Sequence, residues 1–388
     1  MSPTNDQEKS PPSSLDQAKV LIADAAYDEL EPVLDRVFTG LDLTNSWYAG
    51  LKGKKVFIKP NMLGLFAPEQ HAATHPPLVT ALVRWFRAAG AEVMVGDNCG
   101  VGSYGMNQRA AKRTGIQEAA EGAYVNVAQD TVQVPIKSRF LDHIVVSRAM
   151  MEADVLVNVP KMKTHQLTVV TGAVKNMFGL VAGASKGRAH GTAPGLKDFG
   201  AMLADIYALR PPDLNIMDAI VAMEGNGPSS GKPKPLGKIL ASTNALALDA
   251  VMCRIMGLPA KEVHHLAAAS RKGLGPIDPA DVELIGPAPA ARFKLPVAVH
   301  RLSMIGRFVN QRYFAPMART RLTLVPERCQ QCKICVDGCP TGAMGWEEKR
   351  PVLDEKVCIR CFCCHELCPE SAWEVRSLLG RLLMGRRS

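Results

Sequence analysis

The chain is poor in aromatic residues: four Trp, six Tyr and eleven Phe make up 5% of 388 residues. A stacking platform for single-stranded nucleic acid interleaves aromatic and basic side chains, and no such interleaving occurs here, so no specific nucleic-acid partner is expected. No stretch of about eighteen uninterrupted apolar residues exists either, which excludes a helix spanning a membrane. Residues 1–18 lack the basic start, apolar run and small-residue cleavage site of a secretory leader. They are rich in Ser, Pro and charge, and are expected to form a disordered tail. Two stretches lack acids altogether. Leu284–Pro326 carries seven Lys or Arg and Val375–Ser388 carries four Arg, so the two stretches together outweigh the net charge of +9 and the rest of the chain is slightly acidic.

Cysteine is not scarce. Nine of the eleven cysteines fall in the last sixty residues, and eight of them form two copies of one spacing: Cys329, Cys332, Cys335, Cys339-Pro340 and Cys358, Cys361, Cys364, Cys368-Pro369. Every position of the first copy maps onto the second at an offset of 29 residues, so the segment is an internal duplication. Three cysteines spaced by two residues can wrap three corners of an iron–sulfur cubane. A proline-flanked fourth cysteine reaches the other cluster in the bacterial ferredoxin spacing. Cys329, Cys332, Cys335 and Cys368 are therefore assigned to one [4Fe-4S] cluster, and Cys358, Cys361, Cys364 and Cys339 to a second. Zinc would need four ligands and no crossing, and disulfides would need an oxidising compartment. Residues 326–374 resemble a bacterial-type ferredoxin module with two [4Fe-4S] clusters. Such clusters are usually assembled in a reducing cytosol, which makes a cytoplasmic location the expectation. Cys363, beside Cys364, is expected to be a small buried residue near the second cluster.

Residues 19–288 alternate short apolar strands with helices of ten to fifteen residues. Strands are expected at 55–59, 92–96, 124–127, 155–159, 214–217 and 238–241. Helices are expected at 76–89, 107–114, 169–181, 196–209, 245–256 and 261–272. This alternation implies an α/β fold with a mostly parallel sheet covered by helices on both faces, followed by a small α+β ferredoxin domain. The domain reading is a tail at 1–18, the α/β domain at 19–288, a basic connector with some amphipathic helix at 289–325, the two-cluster module at 326–375 and a basic amphipathic tail at 376–388. That last segment could lie on an anionic membrane surface, although packing on its own protein is the commoner fate.

Functional residues are sought in the loops after strands, where α/β folds hold ligands. Lys59 and Asn61 follow one strand, Asp97 and Asn98 another, and Lys161, Lys163 and His165 a third; Lys175 and Asn176 come ten residues on. Converging at one sheet edge, these cations, amides and the imidazole suit a small anionic substrate or cofactor. Lys161, Lys163, His165 and Lys175 are the candidate catalytic residues, and Lys59, Asn61 and Asn176 the candidate cofactor-binding ones. Two glycine-rich stretches fail as nucleotide loops. Gly100, Gly102 and Gly105 stand too far from the preceding strand, and Pro233 replaces the Ser or Thr required after Lys232. Residues 224–232 read instead as a stiffened loop, with Asp218 and Glu224 as further candidates for proton transfer or metal binding. Cys99 reads as an inert small residue.

Lys59-Pro60-Asn61, Val159 to His165, Gly172 to Gly179 and Met223 to Pro228 together resemble a prokaryotic family known as domain of unknown function 362. Many of its members carry a two-cluster ferredoxin module. The resemblance implies cluster binding by the eight cysteines and names no reaction. Two functions follow as expectations. One is an iron–sulfur oxidoreductase or reductase component that passes electrons to an anionic ligand in the α/β domain. The other is a non-catalytic carrier or redox-responsive adaptor whose basic flanks dock an acidic protein that donates or accepts electrons. A flavin or other organic cofactor is left open.

Overall fold

The computed structural model describes residues 18–44, 46–100, 105–193, 195–296 and 320–377. The strands of the large domain are β1 (Lys19–Asp24), β2 (Lys55–Pro60), β3 (Glu92–Val95), β4 (Thr131–Pro135), β5 (His143–Ser147), β6 (Val155–Val159), β7 (Lys161–His165), β8 (Val169–Thr171), β9 (Leu214–Glu224), β10 (Lys232–Ser242) and β11 (Glu283–Ile285). Nine of them form one mixed sheet in the order β11-β1-β10-β9-β6-β2-β3, with β7 against β9 and β8 against β7. Pairing is parallel for β1–β11, β2–β3, β2–β6, β6–β9 and β7–β9, and antiparallel for β1–β10, β9–β10 and β7–β8. The α/β class read from the sequence is the observed one.

The central strands carry apolar side chains toward both faces because both faces are covered, with buried polar residues such as Lys59, Asn158, Asn215 and Asp218 among them. In β2, Phe57 enters the core on one face while Val56 and Ile58 enter the core on the other. In β9, Met217 and Ala219 face the first core and Leu214 and Ile216 the second. Helices Leu196–Leu209, Ala245–Met256 and His264–Arg271 pack on the first face, and Glu31–Gly40 and Pro76–Ala88 on the second. Local chemistry sets their ends. The double proline starts Pro76–Ala88, where the missing N–H groups cost nothing. Asn244 caps Ala245–Met256 by accepting from Ala247 N at 2.9 Å, and Gly257 closes that helix in the left-handed conformation.

Several expectations are corrected. Lys161–His165 is itself a strand, beside β9, and not a loop. Its polar side chains do not face the apolar core, so the period-2 signal of a half-buried strand is missing. The helix expected over 169–181 begins as β8 and becomes helical only at Ala173–Asn176, followed by a 3-10 turn. Tyr124–Val127 contributes one bridge, Val95 to Tyr124, instead of a strand. Strands β9 and β10 are eleven residues each, so the expected loop at 224–232 is the tip of a long hairpin.

The C-terminal module shows the duplication in its backbone. Helices Ile334–Asp337 and Cys363–Leu367 begin 29 residues apart, as do strands Met344–Glu347 and Trp373–Ser377. Thr320–Leu324, expected in the connector, pairs antiparallel with Trp373–Ser377 and so belongs to the module. The module is not a bead on a string. Ile334, Cys363 and Leu367 enter one core of the large domain, and Phe362 and Val375 the other. The expected amphipathic helix of the connector and the basic tail fall mostly at 297–319 and 378–388, outside the described residues.

Candidate functional site

The cysteine loops are shaped by pairs of left-handed residues. Gln331 and Arg360 have φ of 58° and 55°, and Lys333 and Phe362 have 60° and 61°. In one of these turns Arg360 N donates to Cys358 Sγ at 3.4 Å, and Ala372 N, which follows left-handed Ser371 (φ 51°), donates to Cys368 Sγ at 3.3 Å. Cys329, Cys332, Cys335 and Cys368 line one small cavity walled by Trp346, Trp373 and Ala372. Among the described residues, no three His, Cys, Asp or Glu side chains are grouped to share a single ion. Sulfurs set around a cavity in an apolar wall suit a cubane, which keeps its thiolates farther apart than one metal would. Cys358 lies within electrostatic reach of Cys361 and Cys339. The donor set therefore fits iron–sulfur chemistry.

The second constellation lies at the carboxyl ends of β2 and β6. A line of amides crosses it: Asn61 Nδ2 donates to Asn176 Oδ1 (2.9 Å), Asn176 Nδ2 to Asn158 Oδ1 (2.8 Å), Asn158 Nδ2 to Asn215 Oδ1 (2.9 Å), and Asn215 Nδ2 to Ser242 O (3.2 Å). Lys163 enters the line by donating to Asn61 Oδ1 at 2.9 Å. Burial, then the charges of Lys175 and Lys161, push the Lys163 ammonium well below its ordinary value.

Two of the predicted lysines are already matched to carboxylates. Lys59 Nζ lies 2.7 Å from Asp97 Oδ1, and Lys161 Nζ lies 2.8 Å from Asp218 Oδ2; all four side chains are buried. Tyr27 donates to Asp218 Oδ1 at 2.9 Å, and His75 N to Oδ2 at 3.0 Å. Asp218 therefore completes an internal network, and Glu224 does the same with Lys234 at 3.0 Å. Neither is placed for metal binding. Gly179 is required beside the Lys59–Asp97 pair, because a Cβ there would lie 2.0 Å from Asp97 Oδ1 and 2.6 Å from Lys59 Cε. The Cys99 thiol is buried and pushed up to about 12, which suits its inert reading.

Lys175 differs from these. It reaches a cleft partly open to solvent, without a hydrogen bond or ion pair among the described residues. The short helix that carries it is held by Asp249, which accepts from Ala173 N (2.6 Å) and Val174 N (2.9 Å). A Cβ at Gly172 would sit 2.1 Å from that carboxylate, so the clamp needs glycine. Asn61, Asn176 and Asn98 line the same cleft, together with Lys186 and His190. Lys186 donates to Asn98 O and Cys99 O, and burial lowers it to about 8. His190 stacks on Phe199 with centroids 4.4 Å apart and is lowered by burial to about 4.

The far wall of the cleft is Cys363, Glu366 and Leu367, from the helix that also carries Cys364. His165 Nδ1 accepts from Leu167 N (3.1 Å) and Thr168 N (3.3 Å), which leaves the ring proton on Nε2, 3.0 Å from Glu366 Oε1. Burial lowers His165 to about 4. Burial would raise Glu366, but His165 and the charge of Lys175 outweigh it and hold the carboxyl at about 2. The cleft thus gathers Asn61, Lys175 and Asn176 of the predicted residues; Lys59, Lys161, Lys163 and His165 buttress it from behind. Lys186, His190, Asp249 and Glu366 escaped sequence reasoning, for nothing in their surroundings marks them beyond the glycines flanking Lys186 and His190.

A family model described as domain of unknown function (DUF362) matches residues 56–254, and a 4Fe-4S binding domain model matches residues 322–344. The chain belongs to the DUF362 family. Its C-terminal module is a 4Fe-4S binding domain. A DUF362-type chain of this length is similar to the thylakoid-associated protein sll1697 of Synechocystis sp. (strain ATCC 27184 / PCC 6803 / Kazusa), with 33% identity over 228 residues, 58% of this chain and 70% of the relative. A solved structure, the lactate racemase apoprotein from Thermoanaerobacterium thermosaccharolyticum, matches at 12% identity with a TM-score of 0.40. The match covers 62% of this chain and 57% of that one. Among the described residues of this DUF362 member, no helix is long and apolar enough to cross a membrane.

Proposed function

We propose that the protein is an iron–sulfur reductase component that holds two [4Fe-4S] clusters and delivers electrons to a small anionic ligand in the Lys175 cleft. One observation carries the reading: helix Cys363–Leu367 bears the cluster ligand Cys364 and at the same time walls the cleft with Cys363, Glu366 and Leu367. Cys329, Cys332, Cys335 and Cys368 hold one cluster; Cys358, Cys361, Cys364 and Cys339 hold the other. When bound, such clusters supply electrons one at a time.

The remaining roles belong to the chain itself. The unpaired Lys175 ammonium attracts the anion, and Asn61 and Asn98 orient it through their amides. Leu367 and Phe178 exclude water on the cleft's flanks, which strengthens each charge contact inside. His165 fixes Glu366 so that the carboxylate stays on the cleft wall. Lys59, Lys161 and Lys163 hold the edge of the sheet in place; they do not meet the ligand.

Anaerobic reconstitution followed by iron analysis tests the cofactor half, with about eight irons per chain expected. The ligand half is tested by oxidising the reduced protein with a panel of small carboxylates, in parallel with Lys175→Ala. A variant with full iron and an unchanged response to every carboxylate would remove the cleft from the function.

A further inference from the structure

We infer that the groove between helix Met106–Arg113 and the Cys329–Cys335 loop is the docking surface for an acidic one-electron carrier protein. Arg109, Lys112 and Arg113 are exposed on that helix, and among the described residues none of the three has an anionic partner. They line one groove with Gln330, Pro369 and Glu370. Gln330 follows Cys329, and Pro369 follows Cys368, so the groove abuts two ligands of the first cysteine set. Cys332, from the same set, is exposed.

The partner's chemistry follows from this juxtaposition. Three cations against the single carboxylate of Glu370 attract an acidic surface, and opposite charge speeds encounter within a screening length of about 8 Å at physiological salt. An electron carrier is favoured over other acidic proteins because the basic helix borders the loop of a 4Fe-4S binding domain. The Lys175 cleft is walled instead by the helix carrying Cys364, from the second set. The groove and the cleft are thus served by different cysteine sets, which gives the module an entrance and an exit. The helix itself is anchored by Met106, Asn107, Ala110 and Ala111, so its three cations are free of any packing duty.

The test uses the full chain, reconstituted anaerobically, with an immobilised acidic [2Fe-2S] ferredoxin as the probe. Affinity is measured at low and at physiological salt for the parent and for the triple variant Arg109→Glu, Lys112→Glu, Arg113→Glu. A control carries the same charge change on exposed residues elsewhere, Arg254→Glu, Lys261→Glu and Arg271→Glu. The groove variant is expected to bind about tenfold or more weakly at low salt, and the control to stay within about twofold. Iron content and reduction by the small molecule dithionite should not change in either. Equal losses in both variants, or no loss in the groove variant, would overturn the docking surface. Missing iron would instead overturn the cluster assignment on which it rests, so the two failures are distinguishable.

Discussion

His165 Nε2 stands 3.0 Å from Glu366 Oε1, joining a strand of the large domain to the helix that carries Cys364. The two residues lie 201 positions apart; the His165 side chain is buried, and that of Glu366 is 13% exposed where it lines the cleft. Three neighbouring contacts reinforce the junction. Ser229 Oγ donates to His365 O at 3.2 Å, Ser230 Oγ meets Ser371 Oγ at 2.8 Å, and Gln70 Nε2 donates to Pro369 O at 3.1 Å. Replacing His165 with Ala leaves Glu366 charged and short of its partner. The expected cost is about 1–3 kcal/mol of stability. Glu366→Gln, which keeps the shape but removes the charge, should cost less. Urea unfolding of the reconstituted protein checks the order; equal costs would show that the contact is passive.

The two domains were legible to different degrees. The cysteine spacing displayed the duplication, and it recurs in the φ values of Gln331 and Arg360. Strands β2 and β6 were legible because burial on both faces leaves continuous apolar runs. The lysines of the sheet edge were found, but not their state. Asp97 and Asp218 lie 38 and 57 residues from Lys59 and Lys161, and no local pattern announces a pair at that distance. Strand β7 was missed because its polar side chains face a polar interior, so the ordinary alternation of a half-buried strand is absent.

Acid should loosen the large domain through its buried imidazoles. Burial lowers His165 and His190 to about 4 and His265 to about 3. The unfolded chain therefore takes up protons first as pH falls below 6.5, and stability is lost progressively between pH 6.5 and 4. A shift the size of His165's is worth about 3 kcal/mol at full extent. Asp249 works in the opposite sense. Burial raises it to about 7, so its contribution falls as pH rises from 3.8 to 7. His265 is the cleanest probe, since neither ring nitrogen has a hydrogen-bond partner. His265→Leu should flatten the decline between pH 6.5 and 4 without loss of stability at pH 7.5. An unchanged slope in urea midpoints would contradict the argument.

The crossed cysteine assignment separates two serine variants. Cys368→Ser should disturb the same cluster as Cys329→Ser, because the two residues share a cavity. Cys339→Ser should instead match Cys358→Ser. Paramagnetic resonance of the reduced proteins, recorded with iron content, sorts the four variants into two pairs. Pairing of Cys339→Ser with Cys329→Ser would mean that each copy of the motif binds alone.

Asp249 accepts one N–H on each carboxylate oxygen, from Ala173 and Val174. Asp249→Asn keeps the shape but turns an NH₂ group toward one of these donors. Two donors then face each other in a buried site, at a cost of about 1–3 kcal/mol. The turn that carries Lys175 should loosen, so the variant should also weaken the response to small carboxylates while keeping its iron. A variant that loses stability but keeps that response would confine Asp249 to packing.

The Lys59–Asp97 pair sets the last expectation. Both side chains are buried, and Asp97 also accepts from Met62 N at 3.0 Å. Gly179 approaches the pair so closely that a methyl group at this position would meet Asp97 Oδ1 at 2.0 Å. Neither side chain can retreat, since Lys59 and Asp97 are both enclosed by the sheet and its loops. Gly179→Ala should therefore part the ions and leave each charge buried without its counter-ion, at a cost of about 3–5 kcal/mol. Gly191, a helical glycine where an added methyl group would meet nothing within 4 Å among the described residues, is the matched control. Gly191→Ala should be neutral or slightly stabilising, because alanine favours a helix by up to about 1 kcal/mol. Thermal unfolding of the two variants decides the matter: similar midpoints would show that the pair tolerates separation and that the glycine serves some other end.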